Sequence, residues 1–156
     1  MTPETASLFL ADEAATAALA GRIAPFLRVG DTILLEGDIG AGKTTFARAL
    51  IRARLGREED VPSPTFTLVQ TYEDPEAEIW HCDLYRLTSP DEILELGLDA
   101  AFDGGICLIE WPDRLGSAIP SRALRLTLSL EGEGRLAKFE GPRPWIERLR
   151  SGGVLG

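Results

Sequence analysis

Eight consecutive residues have the types and spacing to hold a polyphosphate. Gly37-Asp38-Ile39-Gly40-Ala41-Gly42-Lys43-Thr44 fits Gly-x-x-x-x-Gly-Lys-Ser/Thr, with Gly37, Gly42, Lys43 and Thr44 at the fixed positions. Glycines let the backbone curl, so that successive N–H groups face phosphate oxygens. Lys43 has the reach for the β- and γ-phosphates, and the Thr44 hydroxyl is a ligand for Mg²⁺. Residues Gly40 to Thr45 are the expected phosphate cradle. Because a Gly-rich turn can mimic this pattern, its neighbours decide what it means.

Those neighbours fit. The apolar run Thr32–Leu35 reads as a buried strand before the loop. From Thr45 to Leu55 the spacing is helical, with Phe46, Ala47, Leu50 and Ile51 apolar. Arg52 and Arg54 suit the negative end of that helix, and Gly56 stops it. The loop therefore joins a strand to a helix whose positive end faces the phosphates.

Four further places carry candidate chemistry. Glu110 follows the continuous apolar run Ile106–Ile109, which reads as a central strand. Ligands of open α/β sheets bind beyond the carboxyl ends of strands, so Glu110 is the expected second Mg²⁺ group, bound directly or through water. His81, Asp83 and Tyr85 alternate along an extended segment and share a face. Asp83 is a candidate to orient the attacking water; an edge strand with outward polar residues accounts for the pattern equally well. In Ser63-Pro64-Thr65-Phe66, Thr65 is a candidate γ-phosphate contact, although residue types alone describe a Pro-bearing loop. Trp111 suits base stacking, a partner surface or core packing.

The rest of the chain supplies the frame. Ser7–Leu10 reads as a strand and Asp12–Leu27 as a helix with Ala15, Leu19, Ile23 and Phe26 on one stripe. Residues 57–64 form a loop. Phe66–Tyr72 and Ile79–Leu84 form a hairpin around Asp74-Pro75. Ser89-Pro90-Asp91-Glu92 starts a helix ending at Leu96–Gly97, and Gly104-Gly105 is a turn. Leu124–Glu131 alternates as a half-exposed strand and turns back into a partner ending near Phe139. Trp145, Ile146 and Leu149 make a short closing helix. The expected fold is α/β: a single P-loop NTPase-like domain over residues 1–150, with a mixed, mostly parallel central sheet, flanking helices and antiparallel hairpins. Residues 151–156 read as a flexible tail.

At 156 residues and 44% hydrophobic content, the chain suits one globular domain. Its net charge of −9 lacks the basic footprint of a protein that grips DNA or RNA by itself. Cys82 and Cys107 lie in apolar runs and read as buried thiols, which suits a reducing compartment. His81 is the only histidine, so a zinc site does not assemble. The N-terminal region has no secretion-signal pattern, and no apolar run is long enough to span a membrane. The cytoplasm is the expected location.

Four segments together resemble the TsaE (YjeE) family: Gly37–Thr44, Ser63-Pro64-Thr65-Phe66, His81-x-Asp83-x-Tyr85-Arg86 and Ile109-Glu110-Trp111. Glu92-x-x-x-Leu96-Gly97-Leu98 is similar too, and the resemblance covers residues 7 to about 140. It implies an ATPase with low intrinsic turnover that supports formation of N6-threonylcarbamoyladenosine in tRNA beside TsaB- and TsaD-type proteins, meeting tRNA only indirectly. It further implies that Lys43 contacts phosphate, Thr44 and Glu110 hold Mg²⁺, Asp83 is needed for hydrolysis, Thr65 belongs to a switch segment and Trp111 lies by the site. Nucleotide contacts near Ala11–Thr16 are implied without naming a residue. Arg86 is the chain's own candidate for an arginine finger. Two alternatives use the same loop. A small-molecule kinase needs an acceptor pocket and usually an Arg-rich lid, and no Arg cluster after residue 64 reads as one. A GTP switch commonly uses Asn-Lys-x-Asp, and the chain has no asparagine.

Overall fold

A computed structural model describes residues 3–38, 40–56, 69–85 and 91–155, without the side chains of Ile93 and Leu94. Its strands are β1 (Glu4–Leu10), β2 (Thr32–Glu36), β3 (Val69–Glu73), β4 (Glu78–Asp83), β5 (Gly105–Glu110), β6 (Leu124–Glu131) and β7 (Gly134–Gly141). Its α-helices are α1 (Glu13–Ile23), α2 (Lys43–Leu55), α3 (Asp91–Leu96), α4 (Leu98–Gly104) and α5 (Arg143–Ser151).

The strands form one sheet in the order β1-β7-β6-β2-β5-β4-β3. β6, β2, β5 and β4 run parallel, while β7 pairs antiparallel with both β6 and β1, and β3 pairs antiparallel with β4. This is the mixed α/β architecture expected from the sequence. The reason lies in the side chains. β2 and β5 are apolar on both faces and need cover on both, whereas β6 alternates and needs it on one.

Pleat parity divides the core. Ile33, Leu35, Ile106, Leu108 and Ile79 point to the side covered by α1, α2 and α5. Leu34, Cys107, Ile109 and Cys82 point to the other, where α4 supplies Leu98, Ala101 and Phe102. Parity places His81, Asp83 and Glu110 on the α2 side, in step with Ile79 and Leu108.

Several local expectations hold. Asp12 caps α1 by accepting the Ala15 N–H at 2.8 Å. Gly56 (φ 68°) ends α2, and Gly97 (φ 79°) separates α3 from α4. Others change. The first helix stops at Ile23 and tightens into a 3-10 turn, Ala24–Phe26, with Pro25 inside it. Helix α4 falls where no helix was expected: its apolar residues Leu98, Ala101 and Phe102 span under two turns, too short a repeat to read. Gly104 and Gly105 are not a free turn but the last residue of α4 and the first of β5. The tail expected to be loose packs instead. Val154 and Leu155 are buried, and both N–H groups donate to the Leu149 carbonyl, at 2.9 and 3.3 Å. Two apolar residues near the chain's end, Val154 and Leu155, outweigh the glycines beside them.

Candidate functional site

β2, β5 and β4 are parallel neighbours, so their carboxyl ends lie along one edge of the sheet. Leu35 of β2 stands opposite Glu110 of β5, and Glu110 stands opposite Asp83 of β4. The loop after β2 thus opens beside both acids.

Within that loop the glycines are used as the motif requires. Gly37, Gly40 and Gly42 have φ of 141°, 84° and 109°. A Cβ on Gly37 would lie 2.3 Å from the Leu128 carbonyl oxygen of β6. Ala41 is buried, and its N–H donates to the Asp38 carbonyl at 3.0 Å. Gly42 is the N-cap of α2, which starts at Lys43 and carries no side-chain cap. The first-turn N–H groups are therefore left for an anion.

Lys43 is 6% exposed. Its ammonium donates to the Gly37 carbonyl, reaches the Asp38 carbonyl at 3.4 Å and lies 3.9 Å from the centre of the Trp111 ring. Burial lowers its pKa from 10.5, against the opposing pull of Glu110, Asp83 and Asp38. An ammonium kept from water and hydrogen-bonded only to backbone carbonyls among the described residues gains from a phosphate oxygen as partner.

Glu110 is 2% exposed and held at both oxygens. The Thr44 hydroxyl donates to Oε1 at 3.0 Å, and His81 Nε2 meets Oε2 at 2.7 Å. His81 is fully buried, and its Nδ1 has no partner among the described residues. A carboxylate accepts only, so Nε2 carries the proton.

Asp83 is half-buried. Its Oδ1 accepts the Tyr85 N–H at 3.1 Å. Burial raises its pKa from 3.8; that hydrogen bond lowers it, and the neighbouring Glu110 raises it further. Tyr85 sits past the strand end, 48% exposed, its ring 5.0 Å from that of Trp111. Trp111 has φ 60° and ψ 55°, unusual for a bulky residue. That backbone turns its ring over Lys43.

The structure thus brings together Lys43, Thr44, Asp83, Glu110 and Trp111, five residues marked by sequence. Thr45 stands one step along α2 and donates to Glu13 of α1 at 3.2 Å. Ile39, Thr65 with its Ser63-Pro64-Thr65-Phe66 segment, Arg86 and the cap Ser89-Pro90 lie outside the described residues. Two more neighbours lie by the loop, one in the Ala11–Thr16 stretch where contacts were expected without a named residue, the other unmarked. The Thr16 methyl would meet a Cβ on Gly42 at 3.7 Å, so the start of α1 lies against the loop. Arg135, on β7, donates to the Gly40 and Ala41 carbonyls at 3.1 and 3.2 Å. Arg135 falls in no pattern tied to the loop; an arginine in an alternating strand looks like a solvent-facing residue.

A family profile described as threonylcarbamoyl adenosine biosynthesis protein TsaE matches residues 10–137. The chain belongs to the TsaE family. Membership assigns it to threonylcarbamoyladenosine biosynthesis. It is 43% identical over 121 residues to the tRNA threonylcarbamoyladenosine biosynthesis protein TsaE of Rickettsia bellii, covering 78% of this chain and 84% of that one. The Bacillus subtilis protein of the same description is 40% identical over 119 residues, covering 76% and 73%. Among solved structures, the crystal structure of Bacillus subtilis YdiB superposes with a TM-score of 0.81 at 28% identity, covering 98% of this chain and 97% of that one. Among the described residues of this TsaE-family chain, no helix is long and apolar enough to cross a membrane.

Proposed function

We propose that the chain is a Mg²⁺-dependent ATP hydrolase that serves a TsaB–TsaD-type assembly in the cytoplasm and leaves tRNA to those partners. One observation carries the reading: a buried carboxylate, Glu110, held at both oxygens and touching the hydroxyl of the phosphate-loop Thr44. A carboxylate so placed needs a positive ligand to justify its burial.

The residues suit Mg²⁺. Thr44 Oγ and Glu110 Oε1 are hard oxygen donors 3.0 Å apart. Among the described residues no cluster of three or more His, Cys, Asp or Glu could hold a metal. Mg²⁺ does not require one, since it usually keeps waters and takes one or two carboxylates with substrate phosphates. Thr44 and Glu110 would hold the ion, which when bound supplies charge neutralisation at the phosphate oxygens.

The remaining work belongs to the chain. The loop N–H groups and the start of α2 bind the phosphates. Lys43 exchanges the carbonyls of Gly37 and Asp38 for phosphate oxygens. Asp83 positions the attacking water: its Oδ1 is tied to the Tyr85 N–H, and Oδ2 takes no hydrogen bond among the described residues. Its raised pKa makes it a better proton acceptor than an ordinary aspartate. Trp111 covers Lys43, and Tyr85 packs against the Trp111 ring. No covalent intermediate is required, because positioning and charge stabilisation suffice for phosphoryl transfer to water.

Titration calorimetry with ATP, with and without Mg²⁺, tests the binding half; phosphate release and co-purification with a TsaB–TsaD pair test the rest. Lys43→Ala is expected to abolish ATP binding. Neither heat nor thermal protection from Mg²⁺-ATP on the parent protein would end the proposal.

A further inference from the structure

Arg135 opens β7 just after the Glu131–Gly134 turn, paired in register with Leu10 of β1 and Leu130 of β6. Its three hydrogen bonds all go to backbone carbonyls: Nε to Ala41 at 3.2 Å, Nη2 to Gly40 at 3.1 Å and Nη1 to Gly134 at 3.0 Å. Among the described residues it pairs with no carboxylate, unlike Arg54, Arg125 and Arg148. So a cation without an acidic partner grips two successive carbonyls of the phosphate loop from β7, next to the β6 carbonyl that packs against Gly37.

We infer that Arg135 is a positioning residue for nucleotide binding: it holds the Gly40 and Ala41 carbonyls on its own side of the loop, so that the Gly42 N–H points the other way, at phosphate, while the Ala41 N–H closes the loop on the Asp38 carbonyl. The reason is peptide geometry. In a planar trans unit the C=O of one residue and the N–H of the next point in opposite directions. Fixing Ala41 O turns the Gly42 N–H away from the guanidinium; fixing Gly40 O turns the Ala41 N–H inward, where it closes the loop on the Asp38 carbonyl at 3.0 Å. The loop needs such help, because Gly37, Gly40 and Gly42 leave it free to adopt many backbone conformations. A planar guanidinium spans two acceptors at fixed angles, whereas a lysine ammonium is a point donor. The inference rests on the ATP-binding reading above.

The test compares Arg135→Met and Arg135→Lys with the parent, using ATP titration, steady-state hydrolysis and amide hydrogen exchange of the nucleotide-free proteins. Arg135→Met is expected to raise the ATP Kd about tenfold, the cost of losing one charge-assisted set of hydrogen bonds. The loss is expected in KM more than in kcat. Arg135→Lys recovers little of it, and in both variants exchange quickens over residues 37–44 while α5 keeps its protection. Full recovery by Arg135→Lys would make the effect one of charge alone and overturn the inference, as would a Kd within twofold of the parent in both variants. A parent that binds no ATP, like a Lys43→Ala control, would instead fail the underlying function.

Discussion

The two ends of the sheet are built on different rules. At the parallel centre, β2, β5 and β4 finish along one edge and deliver Lys43, Thr44, Glu110 and Asp83 to one spot. Side chains are the working parts there, and Lys43, His81 and Glu110 are all buried. At the antiparallel side, β1, β7 and β6 leave one face open, with Phe9 56% and Leu130 63% exposed. Among the described residues, that side meets the backbone of the phosphate loop through Leu128 at Gly37 and Gly42 and through Arg135 at Gly40 and Ala41. Parallel strands concentrate chemistry at one edge; the antiparallel hairpin braces the loop that uses it.

The contrast can be broken at several points. Asp83→Ala tests whether the parallel edge carries the hydrolytic step. Phosphate release is expected to fall at least about 100-fold, the usual worth of a positioned proton acceptor, while calorimetry finds ATP affinity changed by only a few fold. Hydrolysis equal to the parent's would remove Asp83 from the mechanism. Gly37→Ala attacks the seam between the two ends. A Cβ set 2.3 Å from the Leu128 carbonyl, at a φ of 141°, is expected to cost on the order of 3 kcal/mol and lower Tm by roughly 6–12 °C. An unchanged melting curve would show that β6 yields easily and braces nothing.

His81→Leu sharpens the metal half of the comparison. It frees Glu110 Oε2, and the gain in ATP affinity that Mg²⁺ provides is expected to shrink about 10–100-fold, with metal-free ATP binding much less affected. His81→Gln, which keeps a donor near the place of Nε2, should recover part of it.

Asp83→Asn separates stability from chemistry. The folded protein holds the Asp83 carboxyl above its ordinary 3.8, so ionisation opposes folding. That destabilisation is absent while the group stays protonated in both states and grows as pH rises through the window above 3.8. At neutral pH Asp83→Asn is expected to melt on the order of 1–2 °C higher than the parent, with the gain fading in acid. No gain at neutral pH would mean that the Tyr85 N–H outweighs burial. The smallest effect is expected on the open face: Phe9→Ser should change stability by under about 0.5 kcal/mol.

Sequence reading reached the parallel centre and stopped short of its bracing for a physical reason. Gly37–Thr44 is a local pattern whose glycines and lysine are dictated by phosphate geometry, so it is legible in one dimension. Glu110 was legible because a continuous apolar run ends on it. The partnership of His81 with Glu110 was not, since 29 positions separate them and only the pairing of β4 with β5 brings them together. Arg135 was further out of reach: 94 positions from Ala41, it sits in an alternating strand where an arginine looks like solvent cover. Val154 and Leu155 misled in the opposite direction, because local glycines suggested looseness while distant apolar surface offered burial.

The order of residues alone determined the phosphate loop, its flanking strand and helix, and the acid at the end of the central strand, because each is set by interactions within a few residues. The tertiary structure decided which acid meets Thr44, why Lys43 lies under Trp111, and that β7 reaches back to the loop. Those depend on strand order and register, which place residues far apart in the chain within hydrogen-bonding distance and which no local spacing encodes.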